Sequence, residues 1–387
     1  MAKPVLVPVG PDFSLSAASV DLNLKAHRVQ LEENVPPSAT VTDEAAYFAG
    51  GTAVTTDFTY TGIWFGSDFS DRMMGDDFGN LFFSGLGNDF LHGGAGDDSL
   101  SGGIGDDTIN GGHGNDTIRG SDGNDILNGG AGDDFISSSD DSGAHSSPGD
   151  DTVNGGAGND TISDGRGNGI LNGGAGNDII GGGEGNDTIY GGAGNDTIRG
   201  DGGRSLNSNG TDIIHGGAGD DIIYGDEFLP SGRDNILFGD KGNDTIIGYL
   251  GNDTIDGGAG NDIIDGGDNV FGGSGSDTLT GGGGNDTFIF HDGVKDTITD
   301  FKHGQDKFDL RDTHATSFLQ GVDFNSAQSA LDYLDANEIS AEGMVVKVID
   351  GSAGALIGFS DDAGTIDLDV SVGARAAALI TDSDFIF

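Results

Sequence analysis

The sequence predicts an all-β fold, a right-handed parallel β-roll with a small β-rich cap at its downstream end. Three observations carry that prediction: a nine-residue period running from Ser84 to Ile289, an aliphatic residue at one fixed phase of it, and glycine at three others. The phase is plainest where Gly93-Gly94-Ala95-Gly96-Asp97-Asp98-Ser99-Leu100 is followed by Gly102-Gly103-Ile104-Gly105-Asp106-Asp107-Thr108-Ile109 and then by Gly111-Gly112-His113-Gly114-Asn115-Asp116-Thr117-Ile118. It returns at Gly155, Gly173, Gly182, Gly191, Gly216, Gly257, Gly272 and Gly281. About nineteen units keep an aspartate at the sixth position, against the three or so that a stable array of repeats needs.

Each position has a physical reason. Glycines accept positive φ and close backbone approach, so six residues wrap into a loop whose carbonyls turn towards a common centre. The next three residues make a minimal strand, and strand alternation turns only the middle one inward. Leu91, Leu100, Ile109, Ile118, Leu127, Ile136, Val153, Ile162, Ile180, Ile189, Ile198, Ile223, Ile246, Ile255, Ile264 and Leu279 are therefore the expected core. The sixth residue adds a hard anionic oxygen to the loop. Carbonyl and carboxylate oxygens together suit calcium, whereas magnesium asks for a stricter octahedron and keeps more water. Two units complete one coil, so many ions stack in two columns beside a thin core. The candidate ligands are Asp89, Asp98, Asp107, Asp116, Asp125, Asp134, Asp151, Asp160, Asp178, Asp187, Asp196, Asp212, Asp221, Asp234, Asp244, Asp253, Asp262, Asp277 and Asp286, with the loop glycines Gly93, Gly102, Gly111, Gly173, Gly182, Gly191 and Gly257.

A flexible Gly/Asp/Asn linker is the bland alternative. It gives no reason for Ile, Leu or Val at every ninth position. Composition fits the ion-built reading: 65 Asp and Glu against 16 Lys and Arg leave a formal net charge of -49, and 75 residues are glycine. Such charge opposes compaction unless counterions are bound, so calcium is expected to decide whether the chain folds. The same charge argues against nucleic acid as a partner. With no cysteine, disulfides and thiol-zinc sites are excluded. The apolar run near Met1 is short and broken by Pro4, Pro8 and Pro11, unlike a secretory leader, and no stretch approaches the ~18 apolar residues of a transmembrane helix.

Three regions follow: a lead-in over 1–65, the repeats over 66–289, and a C-terminal cap over 290–387. Units starting at Gly66 and Gly75 keep the period but lose glycines, as terminal repeats do; Phe78, Phe82, Phe83 and Phe90 are expected to cover that end. Gly169 stands where Asp164-Gly165-Arg166-Gly167-Asn168 calls for a ligand, which predicts a weak or empty site. Extra residues at 138–145, 200–206 and 225–233 break the register, with Asp234 as ligand after the third, and 266–271 reads as a shortened unit. In the cap, 325–335 fits a short helix and 343–349, 355–359 and 365–370 fit strands. Asp300 and Asp306 could add a final site.

The nonapeptides resemble those of RTX (repeats-in-toxin) proteins. The resemblance continues through Asp286-Thr287-Phe288-Ile289-Phe290 and 296–310, which look like the segment leaving the β-roll of serralysin-type proteases, and to Asp384-Phe385-Ile386-Phe387, similar to their extreme C-terminus. That resemblance implies a secreted, extracellular or surface-associated protein, an uncleaved C-terminal signal read by a type I secretion machinery, and folding on meeting calcium outside the cell. Relatives often carry enzymes, but no His-Glu-x-x-His, no Gly-x-Ser-x-Gly and no Asp-Pro-His is present. His92, His113 and His215 read as solvated outward variants. The expected role is a non-enzymatic surface, matrix or adhesion component, with cell-surface polysaccharide or self-association as candidate partners. A membrane-interacting effector similar to small RTX nodulation proteins, and an enzyme with an unrecognised site, stay open beside it.

Overall fold

The computed structural model describes residues 63–139, 149–201, 210–226, 233–267, 275–291, 296–302 and 304–309, and the backbone of strands Val5–Pro8, Ser19–Leu24, His27–Glu32, Ala45–Tyr47, Ser317–Phe324, Met344–Asp350, Ala353–Phe359, Ile366–Gly373 and Phe385–Ile386. The chain divides into two units, Met1–Thr188 and Ile189–Phe387. Every element among the described residues is a strand. The helix expected over 325–335 lies outside them, as do most of the three register-breaking loops.

Unit one opens with an antiparallel sheet in which His27–Glu32 lies between Val5–Pro8 and Ser19–Leu24. Successive strands then alternate between two parallel sheets. Arg72–Met74, Phe90–Ala95, Thr108–His113, Ile126–Ala131, Thr152–Ala157 and Ile170–Ala175 form one. Ala45–Tyr47, Ile63–Phe65, Leu81–Leu86, Ser99–Ile104, Thr117–Asp122, Phe135–Ser137, Thr161–Ser163 and Ile179–Gly181 form the other. Pairing is in register at the apolar position, Leu91 against Ile109 and Leu100 against Ile118, so equivalent residues of successive coils lie directly over one another. This is the predicted parallel β-roll.

Unit two repeats the arrangement. Ile213–Ala218, Ile236–Lys241, Thr254–Asp256, Thr278–Thr280 and Thr297–Ile298 make one parallel sheet. Thr197–Arg199, Ile222–Tyr224, Thr245–Ile247, Ile263–Asp265, Thr287–Ile289, Lys307–Asp309 and Phe385–Ile386 make the other. Ile366–Gly373 extends the first sheet beside Thr297–Ile298, and Ala353–Phe359 and Met344–Asp350 follow it antiparallel. These are the C-terminal strands that the sequence predicts.

Every aliphatic residue of the expected core is buried to within 2% of complete, and Leu171, Ile214, Leu237, Phe288, Ile298 and Phe308 join them. Each such side chain contributes about 1.5–3 kcal/mol relative to exposure. Many strands are longer than the minimal three residues: Phe90–Ala95 runs on past His92, because the second and third loop positions, Gly94 and Ala95, also pair with the next coil. At the upstream end Trp64, Met73 and Phe82 are buried, but Phe78 and Phe83 are 55% and 39% exposed. Only the middle residue of each strand can turn inward, and these two sit at other phases.

Candidate metal centre: columns of buried aspartates

The sixth-position residues stack as columns along the turns. In unit one, the amide of each residue donates to Oδ1 of the equivalent aspartate one coil on: Asp98 to Asp116 at 2.8 Å, Asp116 to Asp134 at 2.7 Å, Asp134 to Asp160 at 2.8 Å and Asp160 to Asp178 at 2.7 Å. A second column runs Asp89, Asp107, Asp125, Asp151 at 2.8, 2.8 and 2.7 Å. Unit two has Asp196, Asp221, Asp244, Asp262, Asp286 and Asp306 in one column, and Asp212, Asn235, Asp253, Asp277 and Asp296 in the other.

One carboxylate oxygen is thus held by the protein. The other is not: Oδ2 of Asp89, Asp98, Asp107, Asp116, Asp125, Asp134, Asp160, Asp221, Asp244, Asp262 and Asp286 is buried without a hydrogen-bond partner. One such atom would be a defect; the same atom orphaned in coil after coil marks a place for a cation. Where the first residue of a unit is glycine, its missing side chain shapes that place. A Cβ on Gly93 would run into Asp98 Oδ2 and stand 2.7 Å from the carbonyl oxygen of Gly111 in the next coil; Gly102 faces Asp107 and Gly120, and Gly111 faces Asp116 and Gly129, in the same way. Gly191 and Gly257 repeat the arrangement against Asp196 and Asp262, and Gly173 and Gly182 are buried at the same phase. Among the described residues no three His, Asp or Glu side chains converge on one point. The donor set is one carboxylate per turn with backbone carbonyls, which fits calcium, whose shell accepts carbonyl oxygens in flexible number.

Electrostatics agree. Burial, reinforced by the carboxylates stacked along the column, pushes Asp98 up to about 7 and Asp107 up to about 8, against the donated amides of Asn80 and Asp89, which pull the other way. Asp125, Asp160, Asp221 and Asp244 rise to about 7 by the same causes. A divalent cation beside them would favour the ionised form.

Eighteen of the nineteen predicted aspartates occupy these buried slots, each at most 4% exposed. The exception is Asp234. It is exposed, and Asn235 takes its slot, accepting the Asp212 amide at 2.9 Å. The turn that opens at Gly225 closes at Asn235, one residue after the expected ligand Asp234. Of the shortened unit expected at 266–271 only Gly266 and Gly267 are among the described residues; a Cβ on Gly266 would run into Asp277 Oδ2. Asp306 continues its column, while both oxygens of Asp300 accept backbone amides, of Gly281 and Gly282, each at 2.8 Å. Sequence reading missed Asp164, Asp296 and two further buried carboxylates, Asp201 and Asp226, which stand at the second position of adjacent loop-bearing turns. Asp226 is pushed up to about 8 by burial and by Asp201 beside it. The signal available was their offset from the preceding strand. Of the histidines, His113 is exposed, whereas His215 is stacked between Tyr190 and Phe238 at 5.3 and 4.5 Å and pairs with Asp240 at 3.1 Å.

Stacked turns with buried aspartates recurring coil after coil define a parallel β-roll with candidate cation sites in its turns. The chain carries RTX calcium-binding nonapeptide repeats, whose family model matches over 65–100, 101–136, 145–180, 172–205, 207–227 and 231–264, and the Peptidase M10 serralysin C-terminal family matches over 255–357. RTX nonapeptide repeats are calcium-binding. Two solved structures from Azotobacter vinelandii are similar, the AlgE6R3 and AlgE6R2 subunits of mannuronan C5-epimerase. Each is 24% identical; they cover 49% and 40% of this chain and 86% and 88% of their own, with TM-scores of 0.23 and 0.21. No curated protein matches the chain.

Proposed function

We propose that the chain is a secreted, non-enzymatic calcium-binding β-roll that folds when it meets calcium after type I export and serves as a surface, matrix or adhesion component. The observation that carries the proposal is the recurrent orphaned carboxylate oxygen, buried and aimed at a volume that only a glycine leaves open. The sixth-position aspartates hold the ion and the facing loop carbonyls complete its shell. Oδ1 of each ties one coil to the next, so ion binding and coil stacking use the same side chain. Calcium neutralises the charge that otherwise opposes stacking, and this links binding to folding. The serralysin-type C-terminal region supports the export route.

The test is a far-ultraviolet circular dichroism titration of the full chain with calcium and, in parallel, with magnesium. Calcium should raise β-structure cooperatively in the range of extracellular modules, about 10⁻⁴ to 10⁻³ M, and magnesium should not. An unchanged β-rich spectrum in chelator, or equal action of magnesium, refutes it. For the role, calcium-dependent cell binding or self-association without turnover is the expected result.

A further inference from the structure

Gly169 is the one sixth-position residue in unit one's second column that cannot offer a side chain to a metal. The sequence alone therefore predicts a lapsed site there. The structure shows instead that the unit has exchanged its two ends. In an ordinary unit the first residue is glycine and the sixth is aspartate, and a Cβ on the first would collide with the carboxylate of the sixth. In the unit 164–172 the first residue is Asp164 and the sixth is Gly169, and here a Cβ on Gly169 would collide with Asp164 Oδ2. One volume is shared by the two positions, and either may send a carboxylate into it.

Asp164 is placed as the regular ligands are. It is 5% exposed, and its Oδ2 is buried with no hydrogen-bond partner, like that of Asp107 or Asp125. Its Oδ1 is held by the protein, accepting a hydrogen bond from the Ser138 hydroxyl, where a regular ligand accepts an amide. Ser138 is itself a first-position residue of the preceding coil and fully buried. Around the Gly169 turn the column's ladder continues, since the Gly169 amide donates to Asp187 Oδ1 at 2.7 Å. Asp151 stands on the upstream side, its carboxyl in reach of both Ser138 and Asp164.

We propose that Asp164 is a calcium ligand supplied from the opposite end of its repeat, oriented by Ser138, so that the column carries an ion at the Gly169 turn. The inference rests on the calcium reading above. It assigns ligand function to a residue outside the sixth-position pattern, and its logic is that of volume: Asp at both positions would overfill the space, and Gly at both would leave it without a carboxylate.

Native mass spectrometry of the full chain, which counts bound calcium ions one by one, tests it. Asp164→Gly should bind one ion fewer than the parent, and the double variant Asp164→Gly, Gly169→Asp, which restores the regular order, should recover the parent count. Asp164→Asn, which keeps shape and hydrogen bonding, should also lose one ion, and serves if the glycine variant does not fold. Hydrogen–deuterium exchange of the 149–170 segment should show calcium-dependent protection in the parent and the double variant that is lost in Asp164→Asn. Equal ion counts in the parent and Asp164→Asn overturn the proposal. A parent that binds no calcium at all overturns instead the reading on which it rests, and the same spectra distinguish the two failures.

Discussion

Replacing Asp107 by asparagine separates the two jobs that each column residue performs. Asp107 Oδ1 accepts the Asp89 amide at 2.8 Å, and its Oδ2 is buried without a protein partner. Asparagine keeps the first oxygen and replaces the second with an NH₂ group, a donor that repels a cation. The chain itself shows that asparagine preserves the ladder: Asn235 accepts the Asp212 amide at 2.9 Å and donates its own amide to Asp253 Oδ1 at 2.7 Å. Asp107→Asn should therefore leave the coil stacked and remove the energy of one ion. For a site with an affinity near 10⁻⁴ M in 10 mM calcium, the lost stabilisation is about 2.7 kcal/mol, roughly a hundredfold in the folding equilibrium.

The assay is urea unfolding in 10 mM calcium followed by circular dichroism, with spectra of both proteins in chelator recorded beside it. In calcium the unfolding free energy should fall by about 2.7 kcal/mol, read as a lower midpoint with the urea slope unchanged. In chelator near pH 7 the variant should hold at least as much β-structure as the parent. The parent's Asp107 is pushed up to about 8 mainly by burial, so part of it must be ionised at a cost that asparagine avoids. Less β-structure than the parent in chelator, or no loss of stability in calcium, would refute the reasoning, because the second oxygen would then serve a protein contact rather than an ion.

Three further outcomes follow from the same geometry. Ile109→Ala, at a core position 1% exposed, should cost about 2–5 kcal/mol in calcium-saturated urea unfolding, whereas Ile126→Ala, 55% exposed, should stay within about 0.5 kcal/mol. Ser121 holds φ at 88° where most units have glycine, so Ser121→Gly should raise calcium-saturated stability by about 0.5–1 kcal/mol, the relief of left-handed strain less the added freedom of the unfolded chain. Because Asp98, Asp107, Asp116 and Asp125 rise from 3.8 to about 7, 8, 6 and 7 in the metal-free fold, that fold takes up protons as it forms. Its extra stability is complete below about pH 4 and is lost as pH rises through 6 to 8, so β-structure in chelator should increase on acidification, while the calcium midpoint should move to higher concentration as pH falls from 8 to 6.

The roll was legible because its period is enforced by sterics at several phases at once. An aliphatic residue every ninth place, glycines at the loop phases and aspartate at the sixth can be read without any long-range information, and Leu91, Ile109 and Asp107 lie where that reading puts them. The failures come where the chain departs from nine. Counting forward from Gly225 cannot tell whether Asp234 or Asn235 closes a lengthened turn; only the strand Ile236–Lys241, paired against Ile213–Ala218, fixes the phase from the other side. Beyond Gly266 the same difficulty recurs, since Thr254 pairs with Thr278 across 24 residues where regular coils need 18. The Asp164 and Gly169 exchange was hidden for a different reason. Position along the chain does not reveal that the first and sixth residues of a unit point into one space.

A second ladder on the outside of the turns shows why the inner one demands aspartate. Fifth-position residues also stack: the Asp106 amide donates to Asn88 Oδ1 at 3.1 Å, that of Asn124 to Asp106 Oδ1 at 3.0 Å, that of Asp150 to Asn124 Oδ1 at 2.8 Å and that of Asn168 to Asp150 Oδ1 at 2.8 Å. Both ladders tie amides to side-chain oxygens in neighbouring coils. Yet asparagine and aspartate interchange freely in the outer, exposed ladder, while in unit one's columns from Asp89 to Asp187 only Gly169 interrupts the aspartates. The hydrogen bond cannot be what distinguishes them, because an asparagine oxygen accepts it equally well. What aspartate adds is a second anionic oxygen, and only the buried one needs a cation. Asp106→Asn should accordingly leave calcium count unchanged and stability within about 0.5 kcal/mol, beside the loss expected for Asp107→Asn one residue away. Native mass spectrometry and calcium-saturated unfolding of the two variants measure the contrast. Loss of an ion in Asp106→Asn would place the metal on the outer ladder and overturn the assignment.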